Sequence, residues 1–78
     1  MHVLVINSKK DPYCGCLEEE VEIDGAYCFF HLQPDGVSDV YIDMGDSGAI
    51  EYEEQGVTSK EVMYQKISDK LISLPVID

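Results

Sequence analysis

The chain has 78 residues, of which 16 are Asp or Glu and 5 are Lys, for a formal net charge of −11 at pH 7. This length predicts a single domain over residues 1–78 and is too short for a large enclosed catalytic cavity. With 45% hydrophobic residues the chain is too apolar for generic disorder, and its acidity excludes a nucleic-acid binder of the usual basic kind. Because it lacks both a run of about 18 apolar residues and a signal-peptide core, we expect a cytoplasmic protein.

The opening segment, residues 2–6, is a continuous and largely β-branched apolar run. Such a run is typical of a strand that is buried on both faces. We expect this strand to end at Asn7 and Ser8. Residues 9–15 contain a Pro and a Gly and are expected to form a loop.

A β-hairpin is the clearest local pattern in the sequence. Residues 17–23 and 26–32 alternate between apolar and polar or aromatic side chains, as strands with two different faces do. Asp24 and Gly25 between them suit a type I′ turn, which requires a positive φ at both positions. Glu19 falls on the apolar side, so we expect that end of the strand to be exposed or bulged.

Two further strands are predicted after the hairpin. Residues 37–44 and 49–54 both alternate, and each is preceded by a turn, at 33–36 and 45–48, that contains glycine. The chain therefore offers five extended segments before any helical pattern begins.

One helix follows the strands. Thr58 and Glu61 match a capping box, with Thr58 as the N-cap, and Pro75 is expected to end the helix. An apolar stripe at helical spacing consists of Met63, Ile67, Leu71 and Leu74. The whole order predicts an α+β fold, in which a small antiparallel sheet of four to five strands packs one C-terminal helix on one face.

The acidic residues are concentrated in the strands. No basic residue stands between Lys10 and Lys60, whereas this stretch contains 13 carboxylates. Alternation places many of them in rows along one face of the sheet, where like charges oppose the compact state. The residues predicted to form a partner-binding surface are Glu18, Glu20, Glu22, Asp39, Tyr41, Asp43, Glu51 and Glu53.

Two interpretations of this acidity are open. The carboxylates can serve solubility alone, or they can form a negative face that attracts and steers a basic partner. Aromatic residues alternate onto the same faces, where they can anchor a protein partner. Tyr41 suits a core or an interface equally, while Phe29 is expected to pack in the core or to brace a cross-strand pair.

The cysteines and histidines raise the question of metal binding. Cys14, Cys16, Cys28 and His31 supply the ligand types and number of a tetrahedral zinc site. However, Cys14 and Cys16 are closer in sequence than structural zinc ligands usually are, and Cys28 and His31 should point to opposite faces of a strand. We therefore expect reduced thiols and no metal or other cofactor. No pattern of a catalytic nucleophile or a phosphate-binding loop is present, so an enzyme is not expected.

In length and composition, although not in any motif, the chain resembles the small acidic inhibitors that phages and mobile elements encode. Some of these act on restriction, CRISPR or repair proteins by imitating nucleic acid. The resemblance implies a non-catalytic protein that blocks a basic nucleic-acid-binding or catalytic groove of a partner protein, and that binds neither nucleic acid nor a membrane itself. The alternatives are a toxin-neutralising immunity protein, a generic protein-interaction module and a small zinc-binding domain.

Overall fold

The structure is a computed structural model that describes residues 1–74. Its elements are β1 (Val3–Lys10), β2 (Leu17–Ile23), β3 (Ala26–Leu32), β4 (Ser38–Asp43), a short 3₁₀ turn (Gly45–Ser47), β5 (Ala49–Glu54) and α1 (Lys60–Ser73). Each strand pairs antiparallel with the next, so the order across the sheet is β1-β2-β3-β4-β5. The predicted α+β fold, with one C-terminal helix on a five-stranded antiparallel sheet, is confirmed.

The hairpin between β2 and β3 forms where the sequence predicts it. Asp24 has a φ of 51° and Gly25 a φ of 86°, the two positive values that a type I′ turn requires. The Asp24 carboxylate also accepts hydrogen bonds from the backbone N–H of His2, at 2.8 Å, and from the hydroxyl of Ser68, at 3.0 Å. These bonds lower the pKa of Asp24, the bond from His2 most, and they connect the turn to the residue that precedes β1 and to α1.

The core lies between α1 and one face of the sheet. The strands contribute the alternate residues that face the helix, and the helix contributes residues at a spacing of three to four. The buried cluster consists of Val21, Ile23, Cys28, Phe30, Val40, Ile42, Val57, Met63, Tyr64 and Ile67. Of the predicted helical stripe, Met63 and Ile67 are fully buried, while Leu71 and Leu74 are half-buried.

β1 is an edge strand, and the prediction that it is buried on both faces is wrong. Leu4, Val5 and Ile6 are 53%, 44% and 51% exposed. Among residues 1–74 the first strand of this meander has a neighbour on one side only, and the strand residues of the buried cluster lie on β2, β3 and β4. An apolar run in such a position forms a strand without being covered.

β1 is also longer and less regular than expected. It continues to Lys10, past the predicted end at Asn7 and Ser8, because the pairing with β2 continues through Lys10, which lies opposite Leu17. The bulge that was expected in β2 lies in β1 instead, where the register shifts between Val5 and Asn7 and leaves Ile6 as the extra residue.

The helix begins one residue later than the capping-box pattern predicts. Ser59, not Thr58, is the N-cap, and its Oγ accepts a hydrogen bond from the backbone N–H of Val62 at 3.2 Å. The helix ends at Ser73. Pro75, the expected terminator, lies outside the described residues.

Candidate protein-binding face

One face of the sheet lies beneath α1, and the other is left uncovered by the described residues. We call the second the open face. It consists of the side chains that alternate with the core residues: Leu4, Asn7, Lys9, Glu18, Glu20, Glu22, Tyr27, Phe29, His31, Asp39, Tyr41, Asp43, Ala49, Glu51 and Glu53. All eight residues predicted to bind a partner belong to this face.

The strand registers arrange the open face in three rows that run across the sheet. The central row is Asn7, Glu20, Phe29, Tyr41 and Glu51. On one side of it lie Lys9, Glu18, His31, Asp39 and Glu53, and on the other lie Leu4, Glu22, Tyr27, Asp43 and Ala49. At usual strand and residue spacings the seven carboxylates fall within a patch of roughly 14 Å by 13 Å.

An aromatic group lies in the middle of this patch. Phe29 on β3 is directly opposite Tyr41 on β4, and Tyr27 is two residues from Phe29 on the same face. All three are half-buried. The alternation of β3 turns Phe30 inward, so Phe29 is not a core residue. Phe29 does form the expected cross-strand pair, and its partner is Tyr41. The Tyr27 hydroxyl donates to the Glu20 carboxylate at 2.7 Å, and this bond is the main cause that raises the pKa of Tyr27.

The charges of the open face are least balanced on β4 and β5. Asp39 and Glu53 are directly opposite each other and both are exposed, an arrangement that destabilises a sheet. On the other side of the face, Lys9 is directly opposite Glu18. Since Lys9 lies in β1 rather than in a loop, the strands are less purely anionic than the sequence pattern suggests, and the strongest negative field is expected over β4 and β5.

The zinc candidates lie in three different places. Cys14 is exposed in the loop between β1 and β2, Cys28 is fully buried beneath the helix, and His31 is half-buried on the open face. Burial raises the pKa of the Cys28 thiol to about 11. The pKa of the Cys16 thiol is also raised to about 11, mainly by its hydrogen bond with the Cys14 thiol. Within residues 1–74 no three His, Cys, Asp or Glu side chains are grouped so that they could hold a metal ion.

A buried carboxylate is the polar feature that the sequence pattern missed. Glu19 is 1% exposed, in contrast to the exposed or bulged position expected for it. Its two oxygens accept hydrogen bonds from the Ser8 hydroxyl of β1, at 2.7 Å, and from the Tyr64 hydroxyl of α1. Burial, followed by the bond to Glu19, raises the pKa of Tyr64. The three side chains connect the edge strand, the sheet and the helix.

Tyr52 presents the opposite situation. Its hydroxyl is buried and has no hydrogen-bond partner among the described residues. Burial raises the pKa of Tyr52 to about 12. The Lys70 ammonium group lies 5.0 Å from the centre of its ring, close enough for a cation–π contact.

Comparison with known proteins yields no family model, curated protein or solved structure that matches this chain. Among residues 1–74 no helix is both long and apolar enough to cross a membrane. The open face, with its carboxylates around an aromatic centre, is therefore the feature on which a function can be argued.

Proposed function

We propose that this protein is a non-catalytic binding protein whose open face occupies a basic nucleic-acid-binding or catalytic groove on a partner protein. The observation that supports the proposal most directly is the convergence of seven carboxylates around Tyr27, Phe29 and Tyr41 on the face that α1 leaves uncovered. The charges attract and orient a basic partner, and the aromatic rings supply the contact area that holds it.

The position of Asp39 directly opposite Glu53 favours the interpretation that the carboxylates of the open face serve binding rather than solubility. Solubility needs net charge, which can be spread over the whole surface without placing like charges opposite each other on paired strands. A direct carboxylate pair costs folding free energy. A cost of this kind is typical of a surface that is kept for a partner.

The pattern of the charges supports a partner that normally binds nucleic acid. Successive carboxylates on the open face of β2 and of β5 are about 6.6–6.8 Å apart, and neighbouring strands are about 4.8 Å apart. Duplex DNA carries one phosphate per ~3.4 Å of axis on each strand. A groove lined by Lys and Arg for phosphates can therefore meet several carboxylates at once on this face.

Two matched triple variants test the proposal. The face variant combines Asp39→Asn, Glu51→Gln and Glu53→Gln. The control variant combines Asp46→Asn, Glu61→Gln and Asp69→Asn, which are exposed positions off the open face. Each removes three negative charges, so the two proteins have equal net charge and differ only in where the charge is lost.

The assay is capture of proteins from a host lysate on the immobilised wild type and on both variants. We expect the wild type to retain a Lys- and Arg-rich nucleic-acid-binding protein that is released by salt and by added duplex DNA. The face variant should lose at least tenfold in affinity for the isolated partner, and the control should stay close to the wild type. Equal losses in both variants would contradict the proposal, and a partner that DNA does not displace would favour a toxin-neutralising immunity protein.

A further inference from the structure

The free edge of β1 carries an exposed apolar segment that the proposed function does not use. Leu4, Val5 and Ile6 are each about half exposed, and within residues 1–74 β1 pairs with β2 only. The backbone N–H and C=O groups along the free side of such a strand can pair with another strand.

The charges of β1 favour a second copy of this chain as that partner. Residues 3–10 contain Lys9 and Lys10 and no carboxylate. The opposite edge of the sheet, β5, carries Glu51, Glu53 and Glu54. In a protein of net charge −11, two β1 edges thus approach each other with less repulsion than two β5 edges.

The bulge fixes the register in which two β1 strands can pair. Leu4 pairs with Glu22 and Lys9 with Glu18, so both lie on the open face. Val5 and Ser8 pair with Val21 and Glu19 and lie on the helix side.

An antiparallel β1–β1 pair keeps both sheet faces continuous when opposed residues lie on the same face. Pairing Leu4 with Lys9, and Val5 with Ser8, meets this condition, whereas a shift by one residue opposes Leu4 to Ser8 and breaks it. If β1 had no bulge and Ile6 were an ordinary strand residue, Leu4 and Lys9 would lie on opposite faces, since five positions separate them.

We infer that two copies of this chain associate through their β1 strands, which pair antiparallel. The two copies are related by a two-fold axis perpendicular to the sheet. The axis lies between the two β1 strands, at the level between Ile6 and Asn7. Leu4 of each copy then lies beside the aliphatic stem of Lys9 of the second copy, which covers it. The result is one ten-stranded sheet, about 43 Å across, with both open faces on the same side. This inference does not depend on the proposed function.

Lysines and bulges can also protect a free edge from pairing. That alternative predicts a protein that stays monomeric at every concentration, so the two are distinguishable by mass.

The first test measures molar mass by light scattering and sedimentation equilibrium from micromolar to millimolar concentration. We expect the wild type to rise from 8.7 kDa toward twice that mass. Ile6→Glu, which places two carboxylates beside the two-fold axis, should keep the protein monomeric. Ile72→Glu is the matched control, because Ile72 is 80% exposed on α1, and it should dimerise like the wild type. A wild type that stays monomeric, or an Ile6→Glu variant that dimerises equally, overturns the inference.

The second test examines the register and does not depend on Ile6→Glu. All proteins in this test also carry Cys14→Ser, which removes the exposed native thiol. When the Leu4→Cys and Lys9→Cys proteins are mixed under mild oxidation, they should form a mixed disulfide, because directly opposed Cβ atoms are about 4.5–5.5 Å apart. Leu4→Cys mixed with Ile72→Cys is the control and should give little. Equal yields in the two mixtures contradict the register.

Discussion

The buried contact between Tyr64 and Glu19 yields the sharpest prediction about stability. Replacing Tyr64 by Phe keeps the ring, which packs edge-to-face on Phe30 with the centroids 6.1 Å apart, and removes only the hydroxyl. The Glu19 carboxylate, 1% exposed, then retains Ser8 as its remaining donor. Hydrogen bonds to charged groups contribute about 1.5–3 kcal/mol. We therefore expect a loss of about 2 kcal/mol, or about 8–16 °C in Tm for a domain of this size.

The measurement is urea and thermal unfolding of the wild type, Tyr64→Phe and Tyr52→Phe. Tyr52→Phe likewise removes one tyrosine hydroxyl. This hydroxyl is buried and has no hydrogen-bond partner among residues 1–74. The substitution should leave stability unchanged or raise it, since an unsatisfied buried polar group costs free energy. The effect of Tyr64→Phe should also largely vanish in a Glu19→Gln background if the carboxylate charge causes it. Equal losses for the two tyrosine variants, or an unchanged loss in that background, would refute the reasoning.

Three further outcomes are expected. Asp39→Asn should raise Tm at low salt, and by less at high salt, because it removes the repulsion of Glu53; a lower Tm would show that Asp39 has a stabilising partner. Because burial raises the pKa of Cys28 from 9.0 to about 11 and that of Tyr52 from 10.0 to about 12, the native state holds more protons than the unfolded state above pH 9. These groups should thus leave the unfolding free energy unchanged between about pH 7 and pH 9 and make it fall toward pH 12, in urea titrations with reductant. Ser59→Ala should cost about 1 kcal/mol through the lost N-cap, whereas Thr58→Ala should change urea stability little.

Much of the sheet could be predicted because its sequence signals are local. The bounds of β2, β3 and β5 agree with those read from alternation and from the Asp24–Gly25 turn. The same period of two brought the eight candidate residues onto one face. These features depend on backbone geometry within a few residues of each position.

The errors concern the environment of a residue, which the local sequence does not contain. The apolar run that begins at Val3 has the same pattern in a central strand as in an edge strand, and its exposure follows from the topology. Glu19 shows an acid at an inward position, but its partner Tyr64 is 45 residues further along the chain. The opposition of Asp39 to Glu53 likewise required the register of β4 and β5.

The meander also determines how the chain can fold. Every strand pairs with its neighbour in sequence, so the sheet can form by closing short loops, which is the condition for rapid folding. The helix follows all five strands in the chain, so it is synthesised after them. Until it docks, the helix-facing side of the sheet remains open to water. Glu19 places a carboxylate in the middle of that transient surface and opposes its self-association. The same side chain that Tyr64 and Ser8 satisfy in the native state is therefore suited to protect the nascent sheet from aggregation.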